Sequence, residues 1–188
     1  MQKKNPKVFL FVDNFDLKIL SSLNKNVNII YRNYKKKINK STLLSIKKYC
    51  KFSKRKFYLS NDAKLAIQLN LDGVYIPSFN KKINFKPFIT HKKFEIIGSA
   101  HNKQEIHIKK LQGCDLIFLS PIFRTEKTKK FLGIIKFNLL TLNENKKFVA
   151  LGGVKRKNFK KIRLTRSVGY SGISWIKKNG PRINLRPF

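Results

Sequence analysis

Short apolar runs rich in Val, Ile and Phe alternate along this chain with longer segments whose apolar residues recur at helical spacing. The runs Val8–Val12 (VFLFV), Val27–Tyr31 (VNIIY), Lys56–Leu59, Gly73–Ile76, Phe94–Ile97, Leu116–Leu119, Phe148–Leu151 and Val168–Ser174 are predicted strands. Helices are predicted around Phe15–Leu23, over Ser41–Tyr49 with Ser41 as its cap, and over Asp62–Leu69, Lys103–Leu111, Ile135–Leu142 and Asn158–Leu164. Lys81–Lys92 holds Pro87 and reads ambiguously, as a short or broken helix. Strict alternation argues for a parallel sheet with helical crossovers. Eight such units argue for closure into a single-domain (β/α)8 TIM barrel with short helices, spanning residues 1–188. A doubly wound open sheet is the alternative, but no Gly-rich dinucleotide fingerprint follows any predicted strand.

With 188 residues the chain can bury a real core. No run of about 20 apolar residues occurs, so no membrane span is expected. Lysines precede the first apolar run, but that run is short, ends in Asp13 and lacks a small-residue cleavage site, which argues against a signal peptide. Cys50 and Cys114 lie far apart without metal-ligand spacing and read as reduced thiols of a cytoplasmic protein. The formal charge of +34 admits two readings. One is a selected polyanion surface, with nucleic acid as the partner. The other is compositional drift, since the excess is mostly Lys accompanied by much Ile, Asn and Phe. The lysines are spread over nearly every segment and lack the aromatic interleaving of a stacking platform, which favours drift. Under either reading the field attracts small anionic substrates.

In a barrel of this kind chemistry sits at the C-terminal ends of the strands. Those ends carry Arg32; Ser60-Asn61-Asp62; Tyr75, Ser78 and Asn80; Gly98-Ser99-Ala100-His101; the Ser120–Lys130 loop; Gly152-Gly153; and Gly172-Ile173-Ser174. Each also has a plain reading. Arg32 can be a solvated arginine, Asn61-Asp62 a helix cap, Gly152-Gly153 a tight turn and His101 a satisfied polar residue. The chemical readings are more specific. Asp62 is one of nine acidic residues in a lysine-rich chain and is a candidate ligand for a divalent cation. Gly152-Gly153 lets backbone N–H groups approach a phosphate, and Gly172-Ile173-Ser174 would complete such a site. The loop carrying Thr125, Lys127, Thr128, Lys129 and Lys130 is dense in hydroxyls and ammonium groups and suits an anionic, phosphate-bearing ligand.

From about Val8 to Ile176 the residues resemble the thiamine-phosphate synthase family, which includes related thiazole tautomerases. VFLFVD is similar to the family's LYLITD, and Ser60-Asn-Asp-Ala-Lys-Leu-Ala followed by Leu71-Asp-Gly-Val-Tyr-Ile-Pro to its INDR…LA and GADGVHLG. Ser-Pro-Ile-Phe-Arg-Thr with Lys129 matches GPVFPT…K, and Ala150-Leu-Gly-Gly-Val matches AIGGI. The resemblance implies a transferase of thiamine biosynthesis. It joins hydroxymethylpyrimidine diphosphate to thiazole phosphate with Mg²⁺ and releases pyrophosphate. It further implies that Arg32 and Lys129 hold the diphosphate, with Ser99 (or Ala100) near it, and that Asn61 serves the pyrimidine side. Asp62 would bind Mg²⁺, and Thr125, Thr128, Gly152, Gly153, Ile173 and Ser174 would hold the thiazole phosphate. The chain departs from the family at Ile30 and Tyr34, where glutamine and lysine are usual, and at Asn80, where the second metal carboxylate falls. The Thr/Lys loop carries an extra residue, leaving Lys127, Thr128 and Lys129 as rival ligand contacts. Pro121 stands where tautomerases carry histidine, with His101 the nearby substitute, so the synthase branch is the closer match. A degenerate homologue that binds a thiamine precursor or phosphate, with a different reaction such as the tautomerase's or with none, is the alternative, and a homo-oligomer is left open.

Overall fold

A parallel strand covered on both faces needs apolar residues of both parities, and that is what the predicted strands offer. The computed structural model describes residues 6–34, 38–85, 93–126 and 128–172. Its strands are β1 (Lys7–Val12), β2 (Val27–Tyr31), β3 (Phe57–Ser60), β4 (Gly73–Ile76), β5 (Glu95–Ala100), β6 (Leu116–Leu119), β7 (Lys147–Leu151) and β8 (Gly169–Ser171). Each pairs in parallel with its successor, and β8 returns to β1 through Lys7–Gly169, Val8–Tyr170 and Phe9–Ser171, closing the barrel. The expected (β/α)8 architecture is therefore the observed one.

The pleat sorts two cores. Phe9, Phe11, Ile30, Tyr58, Tyr75, Ile97, Leu116, Phe118, Val149 and Leu151 pack inside the barrel. Residues of the other parity, such as Leu10, Ile29, Val74 and Ile117, pack against the surrounding layer. Five of the inner side chains are aromatic and meet edge-on, with Phe9–Phe118, Phe11–Tyr75 and Tyr75–Phe118 ring centres 4.9, 5.1 and 5.6 Å apart. Large rings fill a barrel whose strands are only three to six residues long.

The helices are α1 (Leu17–Ser21), α2 (Lys40–Phe52), α3 (Ala63–Gln68), α4 (Lys103–Leu111) and α5 (Gly133–Thr141). Residues Phe159–Leu164 form a 3-10 helix. The cap of α2 is Asn39, not Ser41: Asn39 Oδ1 accepts from the Ser41 N–H at 2.9 Å, and also from the Ser41 hydroxyl. Of the ambiguous Lys81–Lys92 interval, residues 81–85 are non-helical and the last seven lie outside the described residues. Strand β8 ends at Ser171, three residues short of the expected Ser174, and Ile173 and Ser174 lie outside the described residues. Among the described residues no helix is long and apolar enough to cross a membrane.

The N-terminal end of the barrel is tied by charge. Buried Arg55 donates to the carbonyls of Leu23, Asn24 and Val27. Glu95 accepts from Lys56 and from the Tyr58 hydroxyl. Burial alone would raise the Glu95 carboxyl, but those two hydrogen bonds together with the Lys56 and Lys7 charges hold the group below its ordinary value.

Candidate functional site

The C-terminal strand ends form one open mouth, and its floor is set by strand parity. On β5 the inward parity carries Ile97 and then Ser99, while Ala100 joins the outer core. Of the two rivals, Ser99 therefore faces the barrel interior. Ser60 on β3 and Ser171 on β8 share that parity, so the floor is lined with hydroxyls. Tyr75 lies among them, its hydroxyl influenced by neighbouring Ser99 and Arg32. Burial pushes its hydroxyl up to about 12, against the Ser99 bond and the Arg32 charge, so it remains protonated at neutral pH.

Arg32 follows β2 directly, its N–H donating to the Val12 carbonyl at 2.7 Å. Its guanidinium carbon stands 4.4 Å from the Phe11 ring centre, a cation–π contact that braces the side chain over the apolar plug. The β6 loop lies against the end of β7: Ile122 N–H bonds Leu151 O at 2.9 Å, and Phe123 N–H bonds Gly152 O at 3.2 Å. Gly153 has φ +70°, and a Cβ there would stand 2.4 Å from the Phe123 carbonyl oxygen. Only glycine permits that approach. The N–H groups of Gly153 and Val154 donate to no acceptor among the described residues. Asn158 fixes the turn, donating to Gly153 O and accepting from Lys155 N–H, each at 2.8 Å.

A cleft of about 440 Å³ is lined by Arg32, Thr125, Gly152, Gly153, Lys155 and Gly172, among others. A neighbouring cleft of about 600 Å³ shares Thr125 and Gly153 with it and adds Arg124, Lys129, Lys157 and Lys161. Thr125 thus faces both. Thr128 lines neither: its N–H donates to Thr125 Oγ1 at 3.1 Å and its hydroxyl bonds the Lys130 backbone. Thr128 therefore braces the loop, while Lys129 lines the larger cleft and not the one that Arg32 lines. Lys127 lies outside the described residues.

Asn61, Asp62 and Asn80 line a third cleft that shares no residue with the first two, so the anticipated site is divided rather than one chamber. Asn61 has φ +66°, a left-handed conformation that Asn tolerates better than most residues. Its Oδ1 accepts from Asn80 Nδ2 at 2.7 Å. Asp62 Oδ1 caps α3 by accepting from Leu65 N–H at 2.9 Å, and Oδ2 takes no hydrogen bond among the described residues. The capping reading of Asp62 is thus correct, and it leaves one carboxylate oxygen for a cation. No cluster of three His, Cys, Asp or Glu residues suited to a metal occurs among the described residues. This donor set fits Mg²⁺ that takes most of its ligands from diphosphate and water, not a closed protein cage. His101 Nδ1 and its N–H both meet Glu105 Oε2 at 2.8 Å, leaving it a satisfied residue at the start of α4.

Of two wall residues, Tyr34 was marked in the sequence only as a departure from the family and Phe79 not at all. The Tyr34 hydroxyl bonds Ser60 Oγ at 2.9 Å, and its ring meets Phe79 edge-on at 5.3 Å. Burial raises the Tyr34 hydroxyl above its ordinary value, opposed by the Ser60 bond and the Arg32 charge. This pair joins the β2 and β4 loops across 45 residues of sequence, which no local pattern reports.

The family model for thiamine monophosphate synthase matches residues 19–177. A thiamine-phosphate synthase of Pelagibacter ubique is 31% identical over 181 residues, covering 89% of this chain and 83% of that protein. One from Prochlorococcus marinus is 33% identical over 118 residues, covering 61% of this chain and 34% of that protein. The chain spans about a third of the length of such Prochlorococcus relatives. The solved thiamine phosphate pyrophosphorylase of Pyrococcus furiosus superposes with a TM-score of 0.74 at 17% identity, covering 89% of this chain and 85% of that one, a likeness of fold.

Proposed function

The chain belongs to the thiamine monophosphate synthase family, and on that premise we propose that it joins hydroxymethylpyrimidine diphosphate to thiazole phosphate in thiamine biosynthesis, in the cytoplasm. The supporting observation is the shared cleft that brings the Arg32 guanidinium, the Thr125 hydroxyl and the Gly152-Gly153 turn together. It offers a cation for one phosphate group and backbone donors for another.

In the reaction the bond from the pyrimidine methylene carbon to diphosphate oxygen breaks, and its electron pair leaves with the diphosphate. The thiazole nitrogen lone pair then forms the new C–N bond. Positive charge gathers on the methylene carbon and negative charge on the departing oxygen, so positioning and charge stabilisation are the main demands. Arg32 and Lys129 would hold the diphosphate, with Ser99 and the neutral Tyr75 hydroxyl beneath it. Gly153, Val154 and Thr125 would hold the thiazole phosphate, joined by Ile173 and Ser174. Asn61, steadied by Asn80, would orient the pyrimidine. Asp62 and the neighbouring amides would hold magnesium, which when bound neutralises charge on the diphosphate.

The test is incubation of the purified protein with both substrates and Mg²⁺, following pyrophosphate and thiamine phosphate together. Stoichiometric release of both is expected. Folded protein that yields neither, beside a working synthase control, overturns the assignment and leaves a precursor-binding homologue.

A further inference from the structure

Lys109 lies in the last turn of α4, fully buried, and none of its hydrogen bonds is to a carboxylate. Its ammonium meets the Pro77 carbonyl at 2.8 Å, the Asn80 carbonyl at 2.9 Å and Gln112 Oε1 at 2.7 Å. Three donors meet three acceptors, which uses the group completely. Gln112, also buried, turns its Nε2 to the Asn80 and Lys82 carbonyls at 2.9 and 2.7 Å. Room for the lysine stem comes from Gly98 on β5, where a Cβ would lie 2.8 Å from Lys109 Cδ.

The result is a grip on residues 77–82 by their carbonyls, from behind. This segment has no strand or helix of its own. Two of its side chains form the wall of the mouth: Asn80 bonds Asn61, and Phe79 meets Tyr34. An apolar residue at 109 would pack without the cost of desolvating an ammonium. What the ammonium adds is direction, since it ties the Pro77 and Asn80 carbonyls and the Gln112 amide to one point.

We propose that Lys109, together with Gln112, is a positioning residue that sets Phe79 and Asn80 at the pyrimidine-facing wall of the mouth. The proposal rests on the assignment of the Asn61 side to the pyrimidine made above.

Two variants test it, Lys109→Met, which keeps the stem and removes the ammonium, and Gln112→Met, which removes two donors and one acceptor. Amide hydrogen exchange over residues 78–82 is compared with that over α4, and KM is measured for each substrate. Exchange of 78–82 is expected to quicken by about tenfold or more while α4 keeps its protection. KM for the pyrimidine diphosphate is expected to rise about tenfold with KM for thiazole phosphate within about twofold. Unchanged exchange over 78–82, or an equal rise in both KM values, overturns the proposal. Should Lys109→Met fail to fold, the same pattern is required of Gln112→Met, and wild-type behaviour there overturns it. Absence of turnover in the wild-type protein would count against the synthase assignment, while the exchange comparison would still decide whether the clamp exists.

Discussion

Replacing Gly153 by alanine puts a methyl group where the structure has no room. The ideal Cβ stands 2.4 Å from Phe123 O and 2.6 Å from Arg124 O, both backbone atoms that cannot swing aside. The left-handed φ of +70° adds about 1–2 kcal/mol for any L side chain. Forcing the β6 loop outward costs about 1–3 kcal/mol more, as overpacking does elsewhere. A total of about 2–5 kcal/mol lowers Tm by roughly 5–15 °C in a domain of this size. The displaced loop carries Thr125 two residues on, so thiazole-phosphate affinity should fall by about 10–100-fold, the penalty that a shift of about 1 Å brings. Gly133→Ala is the matched control. Its φ is +69°, but the nearest atom to a Cβ is 3.9 Å away. It bears the conformational cost alone and should leave affinity unchanged. Calorimetric melting and isothermal titration with thiazole phosphate measure both effects. A Gly153→Ala protein that melts like Gly133→Ala and binds like wild type would refute the reasoning.

Asp62→Asn separates two roles, because Asn caps a helix as well as Asp. Denaturant stability should stay within about 0.5 kcal/mol while Mg²⁺-dependent turnover falls at least about tenfold; retained turnover removes Asp62 from metal binding. Arg55→Met strips the donor from three carbonyls, two of those bonds buried, at the end of the barrel opposite the mouth and should cost about 2–4 kcal/mol in urea unfolding. Its kcat at 25 °C should stay near wild type, and a selective loss of kcat would contradict that separation. Burial depresses the Lys109 ammonium to about 8, with Cys114 and Glu105 acting the other way. The unfolded chain then binds more protons between pH 8 and 10.5, so this group makes the fold more stable as pH rises through that window. Between pH 7.5 and 9.5 wild type should gain about 2 kcal/mol relative to Lys109→Met in chemical denaturation; a constant difference would show no depressed lysine.

The barrel was legible because its strands are apolar on both parities and its turns fall between them. All eight strands lie within a few residues of expectation, and their order follows from the right-handed crossover rule. Boundaries were harder. Asn39 and Ser41 are both good caps, and only the docking of Leu43, Ile46 and Cys50 against the barrel decides where α2 begins. At the mouth, Arg32 and Gly153 were readable from their places at strand ends and Thr125 and Lys129 from the loop after β6, and each lines a cleft there, whereas the division into separate clefts depends on loop paths. The Tyr34–Phe79 pair is a tertiary accident of two distant loops. Lys109 was different. With Lys and Arg at 43 positions a helical lysine reads as solvated, yet it stands three residues after buried Ile106, on the inner face. The signal was present and the composition hid it.

The aromatic plug of Phe9, Phe11, Tyr58, Tyr75 and Phe118 makes the barrel a cup rather than a tube. Nothing enters from below, and nothing drains that way. On the proposed reaction, both substrates, the departing diphosphate and the joined product would share that one rim, and whatever settled deepest against the serine floor would be fenced in by whatever arrived second. Access from a single side is thus a consequence of how five rings fill the barrel below the mouth.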